Sequence, residues 1–136
     1  MISNEHEIIL DVPPHEVFAW VADLDGWHRW RPSEGRLEQV TPGPVGVGTT
    51  WEAAGRVLDE DIAVTIEVTA YDPDVRFGLK VAGSIEAEQT FAIEPGPDGT
   101  RLTVTLELAD PQLAEPARAQ WDSDLRTLKR LLEAER

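Results

Sequence analysis

Alternating apolar and polar positions dominate residues 36–109, and helical spacing takes over at the C-terminal end. Ile62, Val64, Ile66, Val68 and Ala70 fall on one side of a strand, with Thr65, Glu67 and Thr69 on the other. Leu102, Val104, Leu106 and Leu108 oppose Arg101, Thr103, Thr105 and Glu107 in the same way. Phe77, Leu79 and Val81 likewise oppose Arg76, Gly78 and Lys80. Less regular runs at 36–41, 49–58 and 85–93 bring the total to six strands. Turn residues such as Pro42-Gly43-Pro44, Asp72-Pro73-Asp74, Gly83-Ser84 and Pro95-Gly96-Pro97 separate them. Apolar on one face and charged on the other, they predict an antiparallel meander with a single wet face. A seventh strand at residues 5–12 precedes them, with His6, Ile8, Leu10 and Val12 on its inner side.

Pro13 and Pro14 end that first strand, and Pro14 suits the first turn of a helix. The spacing predicts this helix over 15–24, burying Val17, Trp20, Val21 and Leu24, with Gly26 as a left-handed cap. Trp27-His28-Arg29-Trp30 forms a turn or second short helix that stops before Pro32, and the strands start after Gly35. At 111–136 a long amphipathic helix carries the stripe Ala114, Ala117, Trp121, Leu125, Leu128 and Leu132. Asp122 and Arg126 make an i,i+4 pair on it, and Arg126, Lys129, Arg130 and Arg136 offset the dipole at its end. The stripe needs cover, and the apolar sheet face is what the chain offers. The expectation is an α+β fold in one domain, residues 1–136, with the sheet curled around the helix.

Charge narrows the partners. Twenty-six acids against 12 bases give a net charge of −14, which argues against nucleic acid and anionic membranes. Without cysteine, disulfides and thiolate chemistry are excluded. The acidic N-terminal segment lacks the basic and apolar regions of a secretory signal, and no apolar run is long enough for a membrane span. A soluble, cytoplasmic protein is expected, as monomer or homodimer.

Several short motifs, in this order, resemble one family. They are the helix entry Val12-Pro13-Pro14-His15-Glu16-Val17-Phe18 and the run from Val21 through Asp25-Gly26-Trp27-His28-Arg29-Trp30 to Arg31-Pro32. Gly46-Val47-Gly48-Thr49-Thr50-Trp51, the turn after Tyr71, and Gly99-Thr100-Arg101-Leu102 complete the set. Together they resemble the polyketide cyclase/dehydrase branch of the START and Bet v1-like (SRPBCC) helix-grip superfamily. The resemblance implies a seven-stranded antiparallel sheet gripping the C-terminal helix around an apolar cavity, with two short helices after the first strand. It also implies a glycine-rich hairpin, here 43–50, folding over the cavity entrance.

The candidate site follows from which inward positions are aromatic, small or polar. Trp51 shares an inferred inner face with Ala53 and Gly55, whose small side chains leave volume open. Trp121 lies mid-stripe, and Trp30 falls where the resemblance places the cavity mouth; pure core packing is the alternative for all three. Gln89 is the polar exception in the row Ile85, Ala87, Gln89, Phe91, Ile93, and so a candidate to orient a ligand. Gln39 and Thr49 are further polar inward positions. The expected ligand-contacting set is Trp30, Trp51, Gln89, Phe91, Trp121 and Leu125.

No catalytic constellation is assigned. His6, His15 and His28 show no metal-ligand spacing, so neither metal nor cofactor is expected. His28 is either a general acid/base or a solvent-facing residue, and Arg31 and Tyr71 are placed within reach of a cavity rim. Glutamine is a poor acid or base, which favours binding of a small hydrophobic or aromatic molecule over its transformation. A cyclase or dehydratase acting on a polyketide-like substrate is the alternative, and an interaction module with a filled cavity is another.

Overall fold

Seven antiparallel strands make one sheet in the order β1-β7-β6-β5-β4-β3-β2, with the long helix packed on its inner face. The structure, a computed structural model, describes residues 1–31 and 36–134. The expectations for Pro32, Gly35 and Arg136 lie outside the described residues.

Strand β1 (Ile2–Leu10) begins three residues earlier than its alternation predicted, because Asn4 continues the inward row of His6, Ile8 and Leu10. Helix α1 (Pro14–Val21) and a 3-10 turn (Leu24–Arg29) follow. Here the structure corrects the helical register. Val17, Phe18 and Val21 are the buried residues of α1, while Trp20 is half-buried under the Arg29 guanidinium, 4.0 Å from its ring centroid. Gly26 is not a left-handed cap. It sits inside the 3-10 turn, donating its N–H to the Asp23 carboxylate, and α1 ends on Ala22 in a right-handed conformation.

Strands β2 (Arg36–Gln39), β3 (Thr50–Val57), β4 (Glu60–Asp72), β5 (Arg76–Gly83), β6 (Ala87–Gly96) and β7 (Gly99–Leu108) match the expected six to within a few residues. One irregularity matters for packing. The β4–β5 register shifts between Val68, opposite Leu79, and Ala70, opposite Gly78. After this bulge Tyr71, opposite buried Phe77, reaches the inner face, where its ring meets Phe18 at 5.3 Å between centroids.

Helix α2 (Ala114–Ala134) follows a short 3-10 turn (Pro111–Leu113) capped by the Asp110 side chain. Its stripe buries Trp121, Leu125, Leu128 and Leu132 as expected, and also Asp124. Polar contacts seat it on β1. The Asn4 amide donates to the Ala114 carbonyl (3.0 Å) and accepts from Arg118 (2.8 Å). His6 Nδ1 lies 2.8 Å from the Asp122 carboxylate, and the Lys129 ammonium donates to the Ile9 carbonyl at 2.6 Å. Asp122, expected to pair with Arg126, turns to β1 instead. Among the described residues no helix is long and apolar enough to cross a membrane.

Candidate functional site

Side-chain size along two facing rows leaves a gap between sheet and helix. On β3 the inward row drops from Trp51 to Ala53 and Gly55; on α2 it starts with Ala114 and Ala117 and becomes bulky only at Trp121. Small residues therefore face small residues, and a cavity of about 310 Å³ lies between them. Its sheet wall comes from β3 to β7, including Ala53, Ile62, Ile66, Val81 and Leu106; Leu113, Pro116, Ala117 and Trp121 form the helix wall. That volume is at the compact end of the roughly 300–1,000 Å³ typical of small-molecule sites.

An aromatic column closes one end of this space. Phe77, Phe91 and Trp121 run in series with centroids 6.1 and 5.7 Å apart, and Trp27 and Trp30 stack beside them, 5.5 Å from one another. Edge-to-face and tilted contacts of this kind add to the area the rings bury. Trp121 is the boundary, one side in the column and the other on the cavity.

Of the six residues proposed from sequence, Gln89 and Trp121 line the cavity. Trp30, Trp51, Phe91 and Leu125 lie in the packed layer behind it, all buried. The Trp51 indole N–H donates to the Asp25 carboxylate at 3.3 Å, tying β3 to the 3-10 turn. Trp27, a neighbour of the expected Trp30, is the tryptophan of that turn that reaches the cavity. The other polar positions separate as well. Gln39 donates to the carbonyls of Thr41 and Gly43, and Thr49 accepts from Gly46 N–H, so both serve the β2–β3 loop. That loop does not line the cavity: Gly48 N–H donates to the Val68 carbonyl of β4 and Val68 N–H donates back to the Thr49 carbonyl, at 2.9 Å each, extending the sheet at the far end of β3. The cavity rim carries instead Arg56 and Val57, beside the β3–β4 turn. His28 is exposed, with its ring against the Asp25 carbonyl, and Tyr71 belongs to the aromatic packing.

The polar end of the cavity centres on Arg31. Its Nε donates to one oxygen of Asp124 at 2.9 Å, and the Gln120 amide donates to the other oxygen at 2.8 Å. The guanidinium also lies 3.9 Å over the Trp121 ring and 5.3 Å from that of Trp27, a cation–π arrangement inside the fold. Arg31 and Asp124 are both buried and form an ion pair in the wall of a mainly apolar space. Sequence reading placed Arg31 near the rim but missed Asp124 and Gln120. The available signal was position: Asp124 falls inside the apolar stripe, three residues after Trp121 and four before Leu128.

Gln89 differs from these. It stands between Leu79 and Leu106 on the neighbouring strands, and its buried Oε1 has no hydrogen-bond partner among the described residues. Nor do three histidine, aspartate or glutamate side chains come together, among the described residues, in a way that could hold a metal ion. The resolved pKa displacement lies outside the cavity: Arg101 is raised by its hydrogen bond to Glu94 and by the charges of Glu94 and Glu7.

Comparison with known proteins agrees with this architecture. The family model described as "Polyketide cyclase / dehydrase and lipid transport" matches residues 1–133. The uncharacterized protein Rv2574 of Mycobacterium tuberculosis is 29% identical over 116 residues, which are 80% of this chain and 65% of that protein. The chain thus spans less than two thirds of this relative's length. TTHA0849 from Thermus thermophilus superposes with a TM-score of 0.77 at 22% identity, covering 98% of this chain and 99% of the other. Ara h 8.0201 superposes with a TM-score of 0.74 at 15% identity, covering 98% of both chains.

Proposed function

The chain belongs to the polyketide cyclase/dehydrase and lipid transport family, within the Bet v1-like helix-grip superfamily, and from that premise we propose that it binds a compact hydrophobic molecule in the cavity between sheet and α2. The observation that carries this reading is the volume of about 310 Å³ left where Ala53 and Gly55 face Ala117, lined mainly by aliphatic side chains. Moving an apolar molecule from water into such a space gains roughly 25 cal/mol per Å² of its buried surface. The open volume favours a binder over an interaction module filled by its own side chains.

A cyclase- or dehydratase-type reaction is the second reading, and the buried Arg31–Asp124 pair in the cavity wall is the observation that favours it. Proton transfer needs a group free to change its protonation in contact with the substrate. Both oxygens of Asp124 are already engaged by Arg31 and Gln120, and Gln89 does not titrate. Binding is therefore the better-supported function. Native mass spectrometry of gently purified protein, followed by tryptophan-fluorescence titration with apolar aromatic probes, tests it. A saturable response from Trp27 and Trp121 is expected; none at all would overturn it.

A further inference from the structure

Among the described residues, Gln89 is the one polar side chain that β4 to β7 contribute to the cavity wall, on the interior strand β6, with Ala87 and Phe91 before and after it in the inward row. Leu79 and Leu106 flank it across the strands. An aliphatic residue would fill this position without polar cost, as its neighbours do. The amide is instead held in apolar surroundings with its Oε1 buried and without a partner among the described residues. The other polar groups at the helix end of the cavity bond to one another, Gln120 and Arg31 to Asp124. Oε1 is turned away from accessible space, so the edge of the amide that opens on the cavity is Nε2, a donor without an acceptor among the described residues.

We propose that Gln89 is the specificity-determining residue of the cavity, selecting apolar aromatic ligands that carry a hydroxyl or carbonyl oxygen over ligands of the same shape without one. This deepens the hydrophobic-binding function proposed above and rests on it. The ligand oxygen accepts from Nε2, while the rings lie against Ile66, Val81 and Leu106 on the sheet and Trp121 on the helix. A ligand with no acceptor seals the Nε2 donor away from water unpaired, so the discrimination acts mainly by penalising the wrong ligand.

The test is calorimetric titration of the full chain with 2-naphthol and with naphthalene, in the wild type and in Gln89→Met, which keeps the side-chain length and removes the amide. The wild type is expected to bind 2-naphthol at least about tenfold more tightly than naphthalene, and Gln89→Met to lose most of that preference, partly by binding naphthalene better. Equal affinity of the wild type for both probes overturns the role of Gln89 and leaves the binding cavity standing. An unchanged preference in Gln89→Met does the same. If neither probe binds the wild type, the binding function fails, and the selectivity with it. Should the variant fold poorly, the wild-type comparison alone still decides.

Discussion

Arg31, at the end of the 3-10 turn, and Asp124, on α2, meet at 2.9 Å inside the protein, 93 residues apart in sequence. Their pairing is a polar link between the short-helix segment and the long helix, and it holds the guanidinium over the Trp121 ring at the cavity wall, 3.9 Å from its centroid. The contact fixes where α2 stands relative to that segment, and so helps set the volume the cavity keeps.

Removing one partner of this pair is therefore costly. Asp124→Ala is expected to lose about 3 kcal/mol in urea denaturation, because a buried guanidinium loses its charge-assisted hydrogen bond to Asp124 and Gln120 loses its acceptor. The double variant Arg31→Met/Asp124→Leu is expected to recover more than half of that loss, since it removes both charges together. A double variant as unstable as the single one would show that the geometry, not the broken ion pair, carries the effect.

The two tryptophans of the 3-10 segment separate by their indole N–H groups. Trp27 donates to the Val21 carbonyl at 3.0 Å, whereas buried Trp30 Nε1 has no acceptor among the described residues. Trp27→Phe is expected to cost about 1 kcal/mol more than Trp30→Phe, the net worth of one hydrogen bond. Thermal or chemical denaturation of the two variants side by side measures the difference.

Asn4 serves the start of α2 with both ends of its amide. Asn4→Ala is expected to destabilise by about 2 kcal/mol, two hydrogen bonds at roughly 1 kcal/mol each. Hydrogen exchange should show the loss concentrated in the first turns of α2, because Ala114 and Arg118 are the groups released.

Two glycines give opposite expectations. Gly99 has φ +127°, and a Cβ there would run into the Leu10 carbonyl, so Gly99→Ala is expected to cost more than about 1–2 kcal/mol. Gly46 has ordinary φ and open space around its Cβ position, so Gly46→Ala is expected to be neutral or slightly stabilising, by up to about 1 kcal/mol. Denaturation midpoints of the two variants check both.

The fold was legible because its determinants are periodic. Alternation in the strands and the 3.6-residue stripe in α2 reproduce themselves over many residues, and a boundary error of a few positions leaves the topology intact. The site was less legible because it depends on what the period does not carry. The shift between Val68 and Ala70 turns Tyr71 inward, and no alternation rule announces it. Phe18 is buried in α1 where Trp20 was expected, because both fit an amphipathic turn and only the β4 and β5 aromatics decide between them. Asp124 was passed over because an acid in an apolar stripe looks like an interruption until its partner is known. Gln89 and the small residues Ala53 and Gly55 were readable, since side-chain type alone marks a polar or a thin place in a wall.

The central claim is that the space between the sheet and α2 takes up a small apolar molecule, and occupying that space with protein tests it most directly. Ala53 lies on the cavity wall, paired with Val64 of β4 and Leu37 of β2. Calorimetric titration of 2-naphthol into the wild type and into Ala53→Phe is the measurement. Saturable binding in the wild type that falls at least about tenfold in a folded Ala53→Phe variant is the predicted result, since the phenyl ring fills the volume the ligand needs. Equal binding by both proteins, or none by the wild type, would contradict it.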